Sequence, residues 1–106
     1  MNEKIAPILL ELKQALSEFY QDRLIDIILF GSQARDDATH ESDIDVLVIL
    51  DGAFNPTKEI SRTGDIVAGL SLKHNVVIAC LFMSAERYRH EQSPLLLNVR
   101  REGTPV

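Results

Sequence analysis

Two aspartates separated by one residue, Asp43 and Asp45, stand at the start of an apolar run that ends at Leu50. Alternate side chains of a strand share a face, so both carboxylates are expected to project together while Ile44 packs inward. Paired carboxylates suit a hard divalent cation such as Mg²⁺, which keeps several waters and is completed by substrate phosphates. We therefore predict that Asp43 and Asp45 are catalytic residues and the ligands of Mg²⁺.

A possible phosphate site precedes this pair, because Gly31 and Ser32 end the previous apolar run and ten residues separate Ser32 from Asp43. Glycine lets the backbone approach a ligand closely, and Ser32 is predicted to cap a short helix over residues 33–37 whose free N–H groups favour a phosphate. Arg35 has two open roles: it binds the substrate phosphate, or it braces the loop by pairing with a neighbouring acid, namely Asp36, Asp37 or Glu41. A metal on one wall and a phosphate cradle on the other are typical of phosphoryl or nucleotidyl transfer.

The sequence GSQAR at residues 31–35, followed by SDIDVLV at residues 42–48, resembles the signature of the DNA polymerase beta-like nucleotidyltransferase superfamily. It is most similar to the minimal nucleotidyltransferase (MNT) proteins. The resemblance implies Mg²⁺ at the two aspartates, and ATP as the nucleotide substrate, bound by Gly31, Ser32 and Arg35. It also implies a partner, because MNT proteins are commonly antitoxins of helical HEPN ribonuclease toxins, and some adenylylate a tyrosine of the toxin.

The chain departs from the superfamily pattern at two places. Active members usually carry a third acidic residue on the neighbouring strand, and the matching position here is Val77 or Ala79, depending on register. Asp36 stands where a glycine is common. Two hypotheses follow: an enzyme that transfers AMP to a partner protein without this base, or a degenerate nucleotidyltransferase fold that neutralises its partner by binding alone. One half of an aminoglycoside-modifying enzyme is a third possibility, since such enzymes resemble the same motif.

The elements that must position these residues follow from hydrophobic periodicity. A first helix over residues 3–22 carries an apolar stripe that ends at Phe19, and the strands are predicted over 24–30, 44–50 and 76–82, the last one well covered. A second helix starts near Thr57 with Ile60 and Val67 on one stripe, and two short helices, 85–91 and 95–101, follow the third strand. Loose alternatives for a third acid are Asp65 and Glu86. The order of elements predicts an α/β (α+β) fold with a small mixed β-sheet and flanking helices.

Length and composition limit the classes of function. The 106 residues suffice for one domain, predicted over 1–106, and the net charge of −5 argues against direct nucleic-acid binding. Cys80 is the only cysteine and is expected to be a small buried hydrophobe. We find neither a membrane-spanning run nor a signal-peptide pattern, so we expect a cytoplasmic protein.

The C-terminal third suggests a contact surface. The basic residues around Tyr88 are expected to form a solvated helix face. The alternative is a partner-facing surface, because Leu95, Leu96, Leu97 and Val99 offer more apolar side chains than one short helix can bury. Either a homodimer or a hetero-oligomer is compatible with the sequence.

Overall fold

Four strands and six helices are described in a computed structural model that covers residues 3–35 and 43–106. In chain order these elements are α1 (Ala6–Tyr20), β1 (Leu24–Phe30), α2 (Ser32–Arg35), β2 (Ile44–Leu50), α3 (Pro56–Arg62), α4 (Gly64–His74), β3 (Ile78–Ser84), α5 (Ala85–His90), α6 (Pro94–Glu102) and β4 (Thr104–Pro105). A 3₁₀ turn, Gln21–Arg23, joins α1 to β1. Within the described ranges, no helix is long and apolar enough to cross a membrane.

The sheet is mixed, with strand order β3-β2-β1-β4. β1 pairs antiparallel with both β2 and β4, whereas β2 pairs parallel with β3. The predicted α/β (α+β) fold with a small mixed sheet is thereby confirmed. β1 runs antiparallel to β2 and β3, so the last residue of β1 and the first residues of β2 and β3 lie at the same end of the strands. The candidate residues lie at this end.

The two faces of the sheet are covered differently. Residues of β1 and β2 that include Leu29, Val46 and Val48 pack under α1 and α4 in the larger core cluster. On the opposite face, Leu47 and Ile49 pack under α5 and α6. The residues that this second layer buries lie toward the end of the sheet that is away from the two aspartates.

Helix α1 is shorter than the predicted helix and buries a different aromatic residue. Its inward residues Leu9, Leu12 and Leu16 are fully buried, but Tyr20 is buried and Phe19 is 37 % exposed, so the prediction for Phe19 was wrong. The Tyr20 hydroxyl donates a 2.8 Å hydrogen bond to Glu59 Oε1, which gives its polar end a partner inside the protein.

The predicted second helix is two helices. Asn55 Oδ1 accepts from the Thr57 N–H, as expected for an N-cap before Pro56. The chain then breaks at Thr63, whose Oγ1 donates to the Glu59 carbonyl at 2.8 Å and so competes with a regular helical continuation. Because the break changes the phase, Ile60 is 56 % exposed while Glu59 is buried, and the predicted stripe through Ile60 was wrong.

Strand β3 lies at one edge of the sheet and begins at Ile78, two residues later than predicted. Ile78 and Phe82 are buried, whereas Val77 and Leu81 are 58 % and 39 % exposed. The expectation of a well-covered strand was therefore wrong, because helices cover only one face at this position.

The last helix buries most of its apolar side chains. Leu96 and Val99 are buried and Leu95 packs beside them, which leaves Leu97 as the exposed leucine of this helix at 51 %. Tyr88 also packs against this cluster, under the Arg100 guanidinium at 5.5 Å from the ring centre. Of the apolar side chains of α6 that suggested a contact surface, only Leu97 is therefore left exposed in the described part of this helix.

Candidate active site

Gly31 and Asp45 are in direct contact across the β1–β2 pair. Phe30 is the register partner of Asp45, and Gly31 follows it with a backbone φ of +75°. A Cβ atom on Gly31 would lie 2.7 Å from Asp45 Oδ2, so the carboxylate occupies the space that any other side chain would need. The left-handed backbone favours glycine at this position, and a side chain there would displace the Asp45 carboxylate.

The two aspartates have the predicted arrangement along the strand. Ile44 is fully buried, while Asp43 is exposed and Asp45 is half-buried. Partial burial, and then the negative charge of Asp43, raise the pKa of Asp45 above its ordinary value. The two carboxylates therefore repel each other, and a divalent cation bound between them would relieve this repulsion. Their oxygen atoms are donors of the kind that fits Mg²⁺.

The turn after β1 differs in detail from the predicted cap. Helix α2 begins at Ser32 itself, and the Gly31 carbonyl accepts from the Ala34 and Arg35 N–H groups at 3.1 and 3.2 Å. Gly31 therefore holds the position before the helix, and the prediction that Ser32 caps it was wrong. The predicted extension of the helix to Asp37 lies outside the described residues.

Arg35 reaches a carboxylate that the sequence did not suggest. Its Nη1 lies 3.2 Å from Glu102 Oε2 at the end of α6. The acids that were predicted to pair with it, Asp36, Asp37 and Glu41, lie outside the described residues. No pattern in the sequence links residue 35 to residue 102. The role of Arg35 toward phosphate stays a prediction.

The register between β2 and β3 settles which residue stands across from the aspartates. Ala79 is the partner of Asp45, and Val77 lies beside Asp43, since its carbonyl accepts from the Ile44 N–H at 2.8 Å. Residues 3–35 and 43–106 contain no group of three or more metal-binding side chains. Of the two loose candidates for a third acid, Glu86 follows the opposite end of β3. Asp65 lies in the first turn of α4, whose packed residues join the opposite face of the sheet.

Cys80 lies on β3 between Ala79 and Leu81, which are both exposed, and its own side chain packs against the larger core cluster. Burial raises the pKa of its thiol to about 12, so it is protonated at neutral pH. The expectation of a small hydrophobe agrees with this environment.

A model of a family described as "Nucleotidyltransferase domain" matches residues 9–94. Two similar proteins from Methanocaldococcus jannaschii bear names of protein adenylyltransferases. One is 41 % identical over 88 residues, which is 83 % of this chain and 80 % of the relative. The other is 39 % identical over 77 residues, covering 72 % of this chain and 76 % of the relative.

Two of the solved structures with a similar fold are of toxin–antitoxin proteins. One, crystallised with AMP-PNP, matches 89 % of this chain and 68 % of its own with a TM-score of 0.61 and 18 % identity. Another is a complex of a tri-AMPylated HEPN toxin from Shewanella oneidensis with its MNT antitoxin. It matches 92 % of this chain and 70 % of its own with a TM-score of 0.54 and 16 % identity. At these identities the likeness concerns the fold.

Proposed function

The chain belongs to the nucleotidyltransferase domain family, and we propose that it transfers AMP from ATP to a partner protein with the help of Mg²⁺ at Asp43 and Asp45. The observation that carries the proposal is the contact between Gly31 and the Asp45 carboxylate, which joins the turn after β1 to the acidic pair. A cation bound there would neutralise charge on the triphosphate. The names of the Methanocaldococcus relatives support AMP as the transferred group.

Each residue of the site has a role in this reaction. Gly31 and Ser32 hold the triphosphate, Arg35 assists, and the carboxylates of Asp43 and Asp45 ligate the metal. An acceptor oxygen forms a bond to the α-phosphorus while the bond from that phosphorus to the bridging oxygen breaks. Pyrophosphate leaves, and the acceptor proton passes to solvent or to a base of the partner. Catalysis is then chiefly positioning and charge neutralisation.

We propose that the partner is a HEPN-type toxin and that this chain acts as its antitoxin in the cytoplasm. The toxin–antitoxin complexes among the similar folds support this choice. A tyrosine of the partner is the proposed acceptor, because its phenol has a pKa of about 10 and ionises more readily than an aliphatic alcohol. Such an acceptor reduces the need for a general base, whose loss costs roughly 10²–10⁴-fold.

A second candidate function is inhibition by binding alone. It is favoured by Ala79, which stands opposite Asp45 where a third carboxylate would complete the metal site. In this case the fold would hold the partner in a tight complex, and the two aspartates would be dispensable for neutralisation.

Label transfer distinguishes the two functions. ATP labelled at the α-phosphate is incubated with Mg²⁺ and the protein encoded beside this one, using wild type and Asp43→Asn/Asp45→Asn. A control, Asp51→Asn/Asp65→Asn, makes the same charge change away from the site. We expect label on the partner, reduced roughly 10²–10⁴-fold in the site variant only, since metal stabilisation of a transition state is worth several kcal/mol. An unlabelled partner that is neutralised equally by all three proteins would contradict transfer and support binding alone.

A further inference from the structure

The exposed face of β3, together with the residue before it, carries a row of three apolar side chains. We call this row, Val77, Ala79 and Leu81, the β3 stripe. Val77 and Leu81 are 58 % and 39 % exposed, and Ala79 is also exposed, whereas the intervening Ile78 is buried. The stripe therefore faces away from the larger core. Apolar side chains in a contiguous exposed row are typical of contact surfaces.

The β3 stripe is continuous with the two aspartates. Ala79 is the register partner of Asp45, and partners on adjacent strands project to the same face. Neighbouring strands lie about 4.8 Å apart, so the stripe begins one strand away from the carboxylates. Helices α5 and α6 bury Met83 farther along β3, and they bury Leu47, the register partner of Leu81 on β2, whereas Leu81 itself stays 39 % exposed.

The order of the strands decides what can occupy this surface. Gly31 and Ser32 follow β1 on one side of β2, and the stripe lies on β3 at its other side. An in-line displacement requires the leaving group and the attacking group on opposite sides of the phosphorus. If the triphosphate tail is held near Gly31, an attacking group on the opposite side of the phosphorus would lie on the side of β3.

Resting on the proposed function, we propose that the β3 stripe binds the acceptor protein and delivers its attacking hydroxyl to the α-phosphorus beside Asp45. The surface suits an apolar or aromatic segment of a protein. It suits a nucleic-acid strand poorly, because the stripe carries no positive charge and two carboxylates border it, in a chain of net charge −5. The stripe is thus a specificity determinant for the acceptor, separate from the nucleotide site.

The test measures acceptor and nucleotide dependence separately in the Leu81→Ser variant. The acceptor is the protein encoded beside this chain, and the readouts are the KM for that protein, the KM for ATP and the affinity for Mg-ATP. The matched control is Leu10→Ser, which truncates a leucine that is 66 % exposed on α1. A second variant, Val77→Ser, truncates a stripe side chain that is 58 % exposed, so it leaves no buried cavity and its folding is not at risk.

We expect the KM for the acceptor to rise roughly tenfold in Leu81→Ser and in Val77→Ser, the size typical of truncating an apolar contact at an interface. The KM for ATP and the affinity for Mg-ATP should stay unchanged, and Leu10→Ser should behave as wild type. Unchanged acceptor dependence in both stripe variants would overturn the proposal. A loss of Mg-ATP affinity would also overturn it, because the stripe would then hold the nucleotide. If wild type transfers no AMP to the acceptor at all, the proposed function is wrong, and the proposal that the β3 stripe binds the acceptor is then also wrong.

Discussion

Replacing Gly31 by alanine tests whether the Asp45 carboxylate is held where the site needs it. The added Cβ would lie 2.7 Å from Asp45 Oδ2, and the backbone φ of +75° disfavours any residue with a Cβ. Gly52 offers a matched control, because its φ is +84° and a Cβ there would meet nothing within 4 Å. The two substitutions therefore share the backbone strain and differ in the contact with Asp45.

The magnitudes follow from these two terms. A left-handed conformation costs an alanine about 1–2 kcal/mol, which should lower the melting temperature by roughly 4–8 °C per kcal/mol in a domain of this size. The contact at Gly31 adds little to this cost, because a carboxylate at the end of a half-buried side chain can rotate away. That rotation moves the Asp45 carboxylate out of the place where we propose that it holds Mg²⁺, and a displacement of about 1 Å at a reacting centre can cost 10²-fold in rate.

We expect Gly31→Ala and Gly52→Ala to lose similar stability and only Gly31→Ala to lose transfer. Urea denaturation gives the free energy of unfolding, and transfer of labelled AMP together with Mg-ATP titration reports on the site. If Gly31→Ala binds Mg-ATP and transfers AMP like Gly52→Ala, then the glycine does not hold the carboxylate in place. If both variants lose activity equally, backbone strain alone explains the loss, which also contradicts this role.

Two further predictions concern the pKa of Asp45 and the buried hydrogen bond between Tyr20 and Glu59. The pKa of Asp45 is raised in the folded protein, so the folded state binds this proton more tightly than the unfolded state, and the stabilisation present in acid is lost as pH rises through the folded pKa. Asp45→Asn should therefore be more stable than wild type at neutral pH but not in acid. Urea titrations at several pH values measure the free energy of unfolding of both proteins. A difference in this free energy that does not change with pH would contradict the raised pKa as its cause. Tyr20→Phe removes the 2.8 Å hydrogen bond to buried Glu59 and should cost about 1–3 kcal/mol without changing transfer, whereas unchanged denaturation would mean that the bond is not formed.

The sequence predicted the parts of the site that depend on local patterns. The bounds of β1 and β2 agree with their apolar runs. The first run ends directly before Gly31 and Ser32, and the second begins directly after Asp43. Once the two strands pair, the contact between Gly31 and Asp45 follows from their register. Local pattern and tertiary structure agree here because both strands are interior to the sheet.

The features that were missed depend on tertiary contacts. Burial of Glu59 requires the Tyr20 hydroxyl on another helix and Arg62 one turn later, and periodicity carries no information on such partners. Exposure of the β3 stripe depends on where α5 and α6 end over the sheet. β4 is two residues long and includes Pro105, a residue found at sheet edges, so no strand pattern announces it. Glu102 reaches Arg35 only after α6 has packed.

The strand connections have a consequence for the order in which the protein assembles and opens. β1 and β2 are consecutive and antiparallel, so they can pair once the short segment between them closes, whereas β3 pairs parallel with β2 only after the crossover through α3 and α4. Contacts between distant parts of a chain form late and slowly, and an edge strand is among the first elements to open locally. We therefore expect the carboxylate pair and its glycine to belong to a unit that forms early and persists. We expect the strand beside them to join late, so that a partly opened molecule would keep its two carboxylates in place after the surface on β3 had come apart.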